Sequence, residues 1–152
     1  MVANPSSYLY FDRKRPAAKG KFEPYPASQC AKYNNWKYGF DNVPPYVDGR
    51  ADDYEQRYVH RRVTYLLGML DTDPHHPVLD RSCGGEAEGA YRLIRGENYV
   101  RYLQQRHPEG TNQDLAEVPK VDHDADGMFT SACGVEVIFV RFRGDCQHTQ
   151  KI

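Results

Sequence analysis

The chain contains no apolar run near the roughly 20 residues that a membrane-spanning helix requires, which excludes such a helix from its 152 residues. An excess of charge of either sign is also missing. Lys and Arg number 20 against 21 Asp and Glu, so there is no electrostatic footprint for a nucleic acid partner, and no block of like charge resembles an interaction tail. The opening M-V-A-N-P-S-S-Y-L-Y has neither the basic n-region nor the apolar h-region of a signal peptide. The four cysteines, Cys30, Cys83, Cys133 and Cys146, contain no C-x-x-C pair, which argues against a zinc knuckle. Four cysteines allow three pairings. Free buried thiols are the expectation, one disulfide is the alternative, and the redox compartment stays open. No internal repeat is present. Apolar residues make up only 39% of the chain, and its 12 tyrosines carry much of the aromatic area that a core would use.

Against these absences stand two informative stretches. Val63–Leu67 is the best strand in the chain. It is apolar without alternation, as expected of a strand covered on both faces in a parallel sheet. Gly68 follows, then a carboxylate at Asp71 with Asp73 two residues on. Downstream, A-E-V-P-K-V-D-H-D-A-D-G-M-F (residues 116–129) reads as a short strand near Glu117–Val121 that delivers His123 just ahead of a helix beginning around Asp124. Between them, residues 89–106 set Ala90, Leu93, Ile94, Val100 and Leu103 on one helical stripe that stops at Pro108 and Gly110. Strand, acid, helix, strand, histidine, helix is a βαβα pattern, which implies a right-handed crossover.

The rest is less regular. Val2–Ala3 reads as the tail of a strand, and the stretch 2–11 is expected to lie inside a sheet. Residues 12–58 form a long irregular section rich in Pro, Tyr, Asn and Lys. Loops of that length are lids, binding loops or disordered segments, and Tyr33, Trp36, Tyr38 and Phe40 argue for a packed one. Residues 51–61 carry a short surface helix. V-E-V-I-F-V-R-F-R near the C-terminus fits a helix end or an edge strand equally well.

Acid after one strand and imidazole after the next is the order Asp…His of an acyl-transfer triad. In that chemistry a neutral imidazole takes the nucleophile's proton, and the carboxylate fixes its tautomer and stabilises the imidazolium. The expected site residues are therefore His123 and Asp71, with Asp73 as the alternative acid. The nucleophile is missing. No serine stands in a G-x-S-x-G elbow: Ser6, Ser7, Ser28 and Ser131 have none around them, and Ser82-Cys83-Gly84-Gly85 lacks the leading glycine and follows the acid.

Two other readings use overlapping residues. Asp122-x-Asp124-x-Asp126-Gly127 matches the opening of a calcium loop, but its twelfth position is Cys133 where a bidentate Glu belongs. The three carboxylates are better placed to cap the following helix. Asp71, Asp73, His75, His76 and Asp80 are rich in ligand types, yet two prolines interrupt them and no metal-site spacing appears. A solvated loop is the expectation, and no metal site is assigned.

The pieces V-A-N-P-S-S-Y-L-Y-F-D, Y-N-N-W-K-Y-G-F, R-R-V-T-Y-L-L-G-M-L-D-T-D, L-D-R-S-C and V-P-K-V-D-H-D-A-D-G-M-F occur in this order. In this the chain resembles bacterial-type α/β-hydrolases of the serine esterase/lipase class. The resemblance spans nearly the whole chain but only the C-terminal part of that family's domain. It implies an α/β fold: the C-terminal portion of an α/β-hydrolase sheet, with parallel strands, flanking helices and a long lid-like excursion. Residues 1–152 would be one partial domain, with 12–60 as the excursion and 61–140 as the acid- and His-bearing unit. It further implies a triad acid at Asp71, a base at His123, small ester substrates and no cofactor.

Without the elbow and its oxyanion donors the expected product is a truncated or split esterase, or a pseudoenzyme, inactive by itself. Its partner would be the N-terminal half of the hydrolase, or a second copy meeting the open sheet edge. A non-catalytic binding or structural module that retains the half-fold is the alternative.

Overall fold

A computed structural model describes residues 1–139 and 146–148. Its centre is a four-stranded sheet in the order β1 (Val2–Ala3), β4 (Val63–Gly68), β5 (Gln113–Val118), β6 (Gln147–His148). Strands β1, β4 and β5 are parallel. The short β6 runs antiparallel to β5. The β4–β5 register is continuous from Val63 against Gln113 to Gly68 against Val118, so the two strands end side by side.

Strand β4 is buried on both faces, as its unbroken apolar run predicts. Val63, Tyr65 and Leu67 face a core completed by Leu115 and by Tyr99, Val100, Tyr102 and Leu103. The last four belong to helix α3 (Arg92–Arg106). Leu66 faces the other way, with Ala116, Val118, Met128, Cys133 and Cys146. Helices α4 (Ala125–Thr130) and α5 (Ala132–Phe139) cover that side. The result is a mixed α/β architecture, a parallel sheet with flanking helices.

The long section after β1 is ordered. A hairpin of β2 (Lys14–Pro16) and β3 (Phe22–Pro24) leads into loops, and helix α1 (Ala51–Val59) then returns the chain to β4. Tyr33 and Tyr25 pack beside Cys30 and Ala87, and Phe40 makes tilted ring contacts with Phe11 and Tyr54. The aromatics are thus spent on packing, with Trp36 left partly open at 37% exposure.

Several expectations are corrected. The stretch 2–11 is not one strand. Only Val2 and Ala3 pair with β4, and Tyr8, Tyr10 and Phe11 leave the sheet to enter the core over α3. The strand before His123 ends at Val118, not Val121, because Pro119 has no N–H to continue a ladder. Helix α3 starts at Arg92 rather than residue 89. Its buried residues are Arg92, Arg95, Gly96, Asn98, Tyr99, Val100, Tyr102 and Leu103, so Val100 and Leu103 of the expected stripe are buried, Leu93 and Ile94 are only partly buried, and Ala90 is exposed ahead of the helix. Hydropathy assigns arginine to the surface, whereas here the guanidinium groups find buried acceptors. Residues 135–139 of the ambiguous C-terminal stretch are helical in α5, and residues 140–143 lie outside the described residues.

The cysteines are not free. Cys30 pairs with Cys83 and Cys133 with Cys146, with Cα–Cα distances of 5.8 and 4.6 Å. Spacing along the chain carries no information on which thiols meet in space. The first bridge ties the section after β1 to the short helix α2 (Cys83–Glu86).

Candidate active site

Because β4 and β5 end in register, the loops that follow them leave the sheet as neighbours. Two backbone hydrogen bonds lash them together: Met69 N–H to Val118 O (3.0 Å) and Leu70 N–H to Val121 O (2.9 Å). The approach is close because Gly68 has no side chain. A Cβ there would run into the backbone carbonyl oxygens of Val121 and Asp122.

Three residues beyond β4, Asp71 is held by its own N–H to Gly68 O (3.1 Å), and its carbonyl accepts from Leu93 N–H (3.2 Å). Its carboxylate is almost fully buried. His123, five residues beyond β5, brings Nδ1 to 2.9 Å from Asp71 Oδ2. A carboxylate can only accept, so Nδ1 carries the proton and the free lone pair of a neutral ring sits on Nε2. The imidazole is about one-fifth exposed. The two halves of this pair are the residues singled out in the sequence. Asp73, the alternative acid, is exposed and accepts from His75 N–H (2.8 Å) instead.

Two further residues complete the corner, and sequence reasoning passed over both. Arg92, 1% exposed, donates from one terminal nitrogen to Asp71 Oδ1 (3.0 Å) and from Nε to Ser6 Oγ (3.2 Å). Its other terminal nitrogen lies 3.4 Å from His76 Nδ1. The guanidinium therefore occupies the carboxylate oxygen that His123 does not use. Ser6 stands three residues beyond β1, with Oγ 3.5 Å from His123 Nε2. Its position just after a parallel strand was the available signal. Position in the sheet, rather than an elbow motif, brings it there.

The other candidates fall elsewhere. Ser82 is the N-cap of α2: its hydroxyl accepts from Gly85 N–H and lies 2.7 Å from the Tyr38 hydroxyl. Asp80 accepts from Tyr38 and pairs with Lys37 (3.1 Å). Burial opposes its charge, yet these bonds and those from Ser82 hold its pKa below the ordinary carboxylate value. Asp124 caps α4 through the N–H groups of Asp126 and Gly127, and Cys133 is in a disulfide, so the calcium-loop spacing is used for helix capping. Among the described residues no group of three or more His, Cys, Asp or Glu side chains is placed to hold a metal ion.

Neither a family model nor a curated protein sequence matches the chain. Among the solved structures that resemble it are the following two. One is poly(aspartic acid) hydrolase-1 from Sphingomonas sp. KT-1, 28% identical with a TM-score of 0.55, over 64% of this chain and 36% of that one. The other is LpqC, a poly(3-hydroxybutyrate) depolymerase from Bordetella parapertussis, 20% identical with a TM-score of 0.65, over 93% of this chain and 40% of that one. The fold is hydrolase-like. The chain spans less than half the length of either structure. No helix among the described residues is long and apolar enough to cross a membrane.

Proposed function

We propose that this chain carries the acid–base pair of a serine-type ester hydrolase. Asp71 is the orienting acid. It holds His123 with Nδ1 protonated, so that Nε2 takes a proton from an attacking hydroxyl and later returns it to the leaving alkoxide. The observation that supports this is the 2.9 Å contact between His123 Nδ1 and Asp71 Oδ2, made at the carboxyl ends of adjacent parallel strands. Loops converge there in open α/β sheets and ligands bind there. The fold likeness to two polymer hydrolases is consistent with that assignment. Side chains alone supply this chemistry, so the reading needs no cofactor.

In this reading the chain by itself does not sustain ester turnover. Oxyanion donors contribute about 10²–10³-fold per hydrogen bond, and the elbow that provides one of them is not in this sequence. A further stretch of polypeptide seated along the side of β1 that has no partner strand among the described residues would provide it, with residues 12–60 acting as the lid-like cover.

Two measurements test the reading. NMR of the imidazoles is expected to show His123 with a protonated Nδ1 in a strong hydrogen bond, lost in Asp71→Asn; a His123 ring protonated on Nε2 alone would overturn the pair. Steady-state hydrolysis of a short p-nitrophenyl ester is expected to equal that of His123→Ala. Turnover that disappears in that variant would show the chain to be self-sufficient.

A further inference from the structure

Three parallel strands of this sheet each deliver one chemistry-bearing side chain at the same end. Ser6 follows β1, Asp71 follows β4 and His123 follows β5, on strands that are consecutive neighbours. Hydroxyl, carboxylate and imidazole thus appear in the chain order Ser…Asp…His and meet at one corner. Their contacts are directional. The imidazole uses Nδ1 on Asp71, and Nε2 points to Ser6 Oγ at 3.5 Å. Nucleophile–base contacts are commonly loose before a substrate binds and tighten in the reacting complex.

Ser6 is also held in place. Arg95 donates to its carbonyl oxygen (3.1 Å), and Arg92 Nε donates to its hydroxyl oxygen (3.2 Å). A guanidinium on Oγ leaves the hydroxyl proton free to face Nε2 and favours the anion that forms when that proton departs. Both Ser6 and His123 are partly exposed, so a reagent in solvent can reach them.

We propose that Ser6 is the hydroxyl this pair activates, so that the chain holds a carboxylate–imidazole–hydroxyl relay of its own that accepts an activated acyl or phosphonyl group. The inference rests on the Asp71–His123 reading and adds a nucleophile to it. With a fluorophosphonate, a bond forms between Ser6 Oγ and phosphorus, the P–F bond breaks and fluoride leaves. The Oγ proton passes to His123 Nε2, and Asp71 balances the resulting imidazolium. With an activated ester, Oγ bonds to the acyl carbon, the bond to the leaving oxygen breaks, and Nε2 returns the proton to that oxygen. The product is an acyl ester on Ser6. Hydrolysis of that unactivated ester demands more oxyanion stabilisation than its formation from an activated one, and none of the residues assigned to this corner is an oxyanion donor, so modification stops at one group per chain and no turnover follows.

The test is labelling of the intact chain with a fluorophosphonate at pH 8, with the modified peptide located by mass spectrometry. One group on Ser6 is expected, formed at least about 100-fold more slowly in His123→Ala and Asp71→Asn, in line with the usual contribution of a general base. Ser6→Ala should abolish labelling, and Ser82→Ala should leave it unchanged. Ser6→Cys guards against a folding artefact: its thiol should react with iodoacetamide faster with His123 present than with His123→Ala. An unmodified Ser6 in a folded chain, or labelling that does not depend on His123, overturns the proposal. If the Nδ1–H signal of His123 is intact in that case, only the assignment of Ser6 falls. If the signal is absent, the pair falls with it.

Discussion

Two buried polar regions of this molecule treat charge in opposite ways. At the carboxyl end of the sheet, Asp71 and Arg92 are nearly closed off from water, His123 is about one-fifth exposed, and each has a partner of complementary character. On the face of the sheet covered by α3, Tyr8, Tyr10, Arg15 and Glu88 are just as buried. There, among the described residues, the Tyr8 and Tyr10 hydroxyls, Arg15 Nε and one Glu88 oxygen have no hydrogen-bond partner. The rings do the work in that region: Tyr8 stacks on Tyr99 at 4.7 Å between centroids, and Arg15 lies over Tyr10 at 4.3 Å. Burial therefore dominates Glu88. Its pKa rises from 4.5 to about 8 despite the bond from Tyr8 N–H and the nearby charges of Arg15 and Arg95. Equal burial thus gives an ion-pair corner in one place and a protonated acid in the other. The difference is whether a cation reaches the carboxylate directly.

Breaking the corner should cost most. Arg92→Met leaves Asp71 buried without its cation, and removal of one partner of a buried ion pair typically costs about 3–5 kcal/mol. Chemical denaturation should find the midpoint lowered accordingly, and a loss under 1 kcal/mol would mean that water replaces the guanidinium freely. Gly68→Ala probes the same corner through its geometry. The added methyl meets backbone, not a flexible side chain, so the 121–123 turn must move away from Asp71. A cost of about 1–3 kcal/mol is expected from overpacking, together with loss of the His123 Nδ1–H signal. An unchanged signal would show that the turn can yield without breaking the pair.

Glu88→Gln probes the contrasting region. A carboxyl group whose folded pKa is raised binds its proton more tightly in the folded state. Its contribution is complete below pH 4.5 and is lost as pH rises towards about 8. Wild-type stability should fall with rising pH across that window by at most about 1.4 kcal/mol per pH unit. The Gln variant should be flatter there. Parallel pH profiles for the two proteins would place the ionisation of Glu88 outside the window.

Much of the corner was legible because its signals are local. An unbroken apolar run fixes β4 as a strand covered on both faces. Gly68 marks a close approach, and Asp71 and His123 lie within five residues of the strand ends that present them. Asp124 caps its helix through the next three residues. Pro119 could have placed the end of β5 correctly, since the missing N–H is a local fact as well. The role of Arg92 was not legible in the same way. Its burial depends on three acceptors from residues 6, 71 and 76, and within its own helix it reads as a surface cation.

The sequence by itself determined the alternation of elements and which side chains leave the strand ends, because backbone propensity and hydropathy act over a few residues. Only the tertiary structure decided which of those side chains meet. The Ser6–His123 contact and the Cys30–Cys83 bridge span 117 and 53 residues. Such meetings depend on strand order and register, set by burial of both sheet faces at once and by no local segment alone.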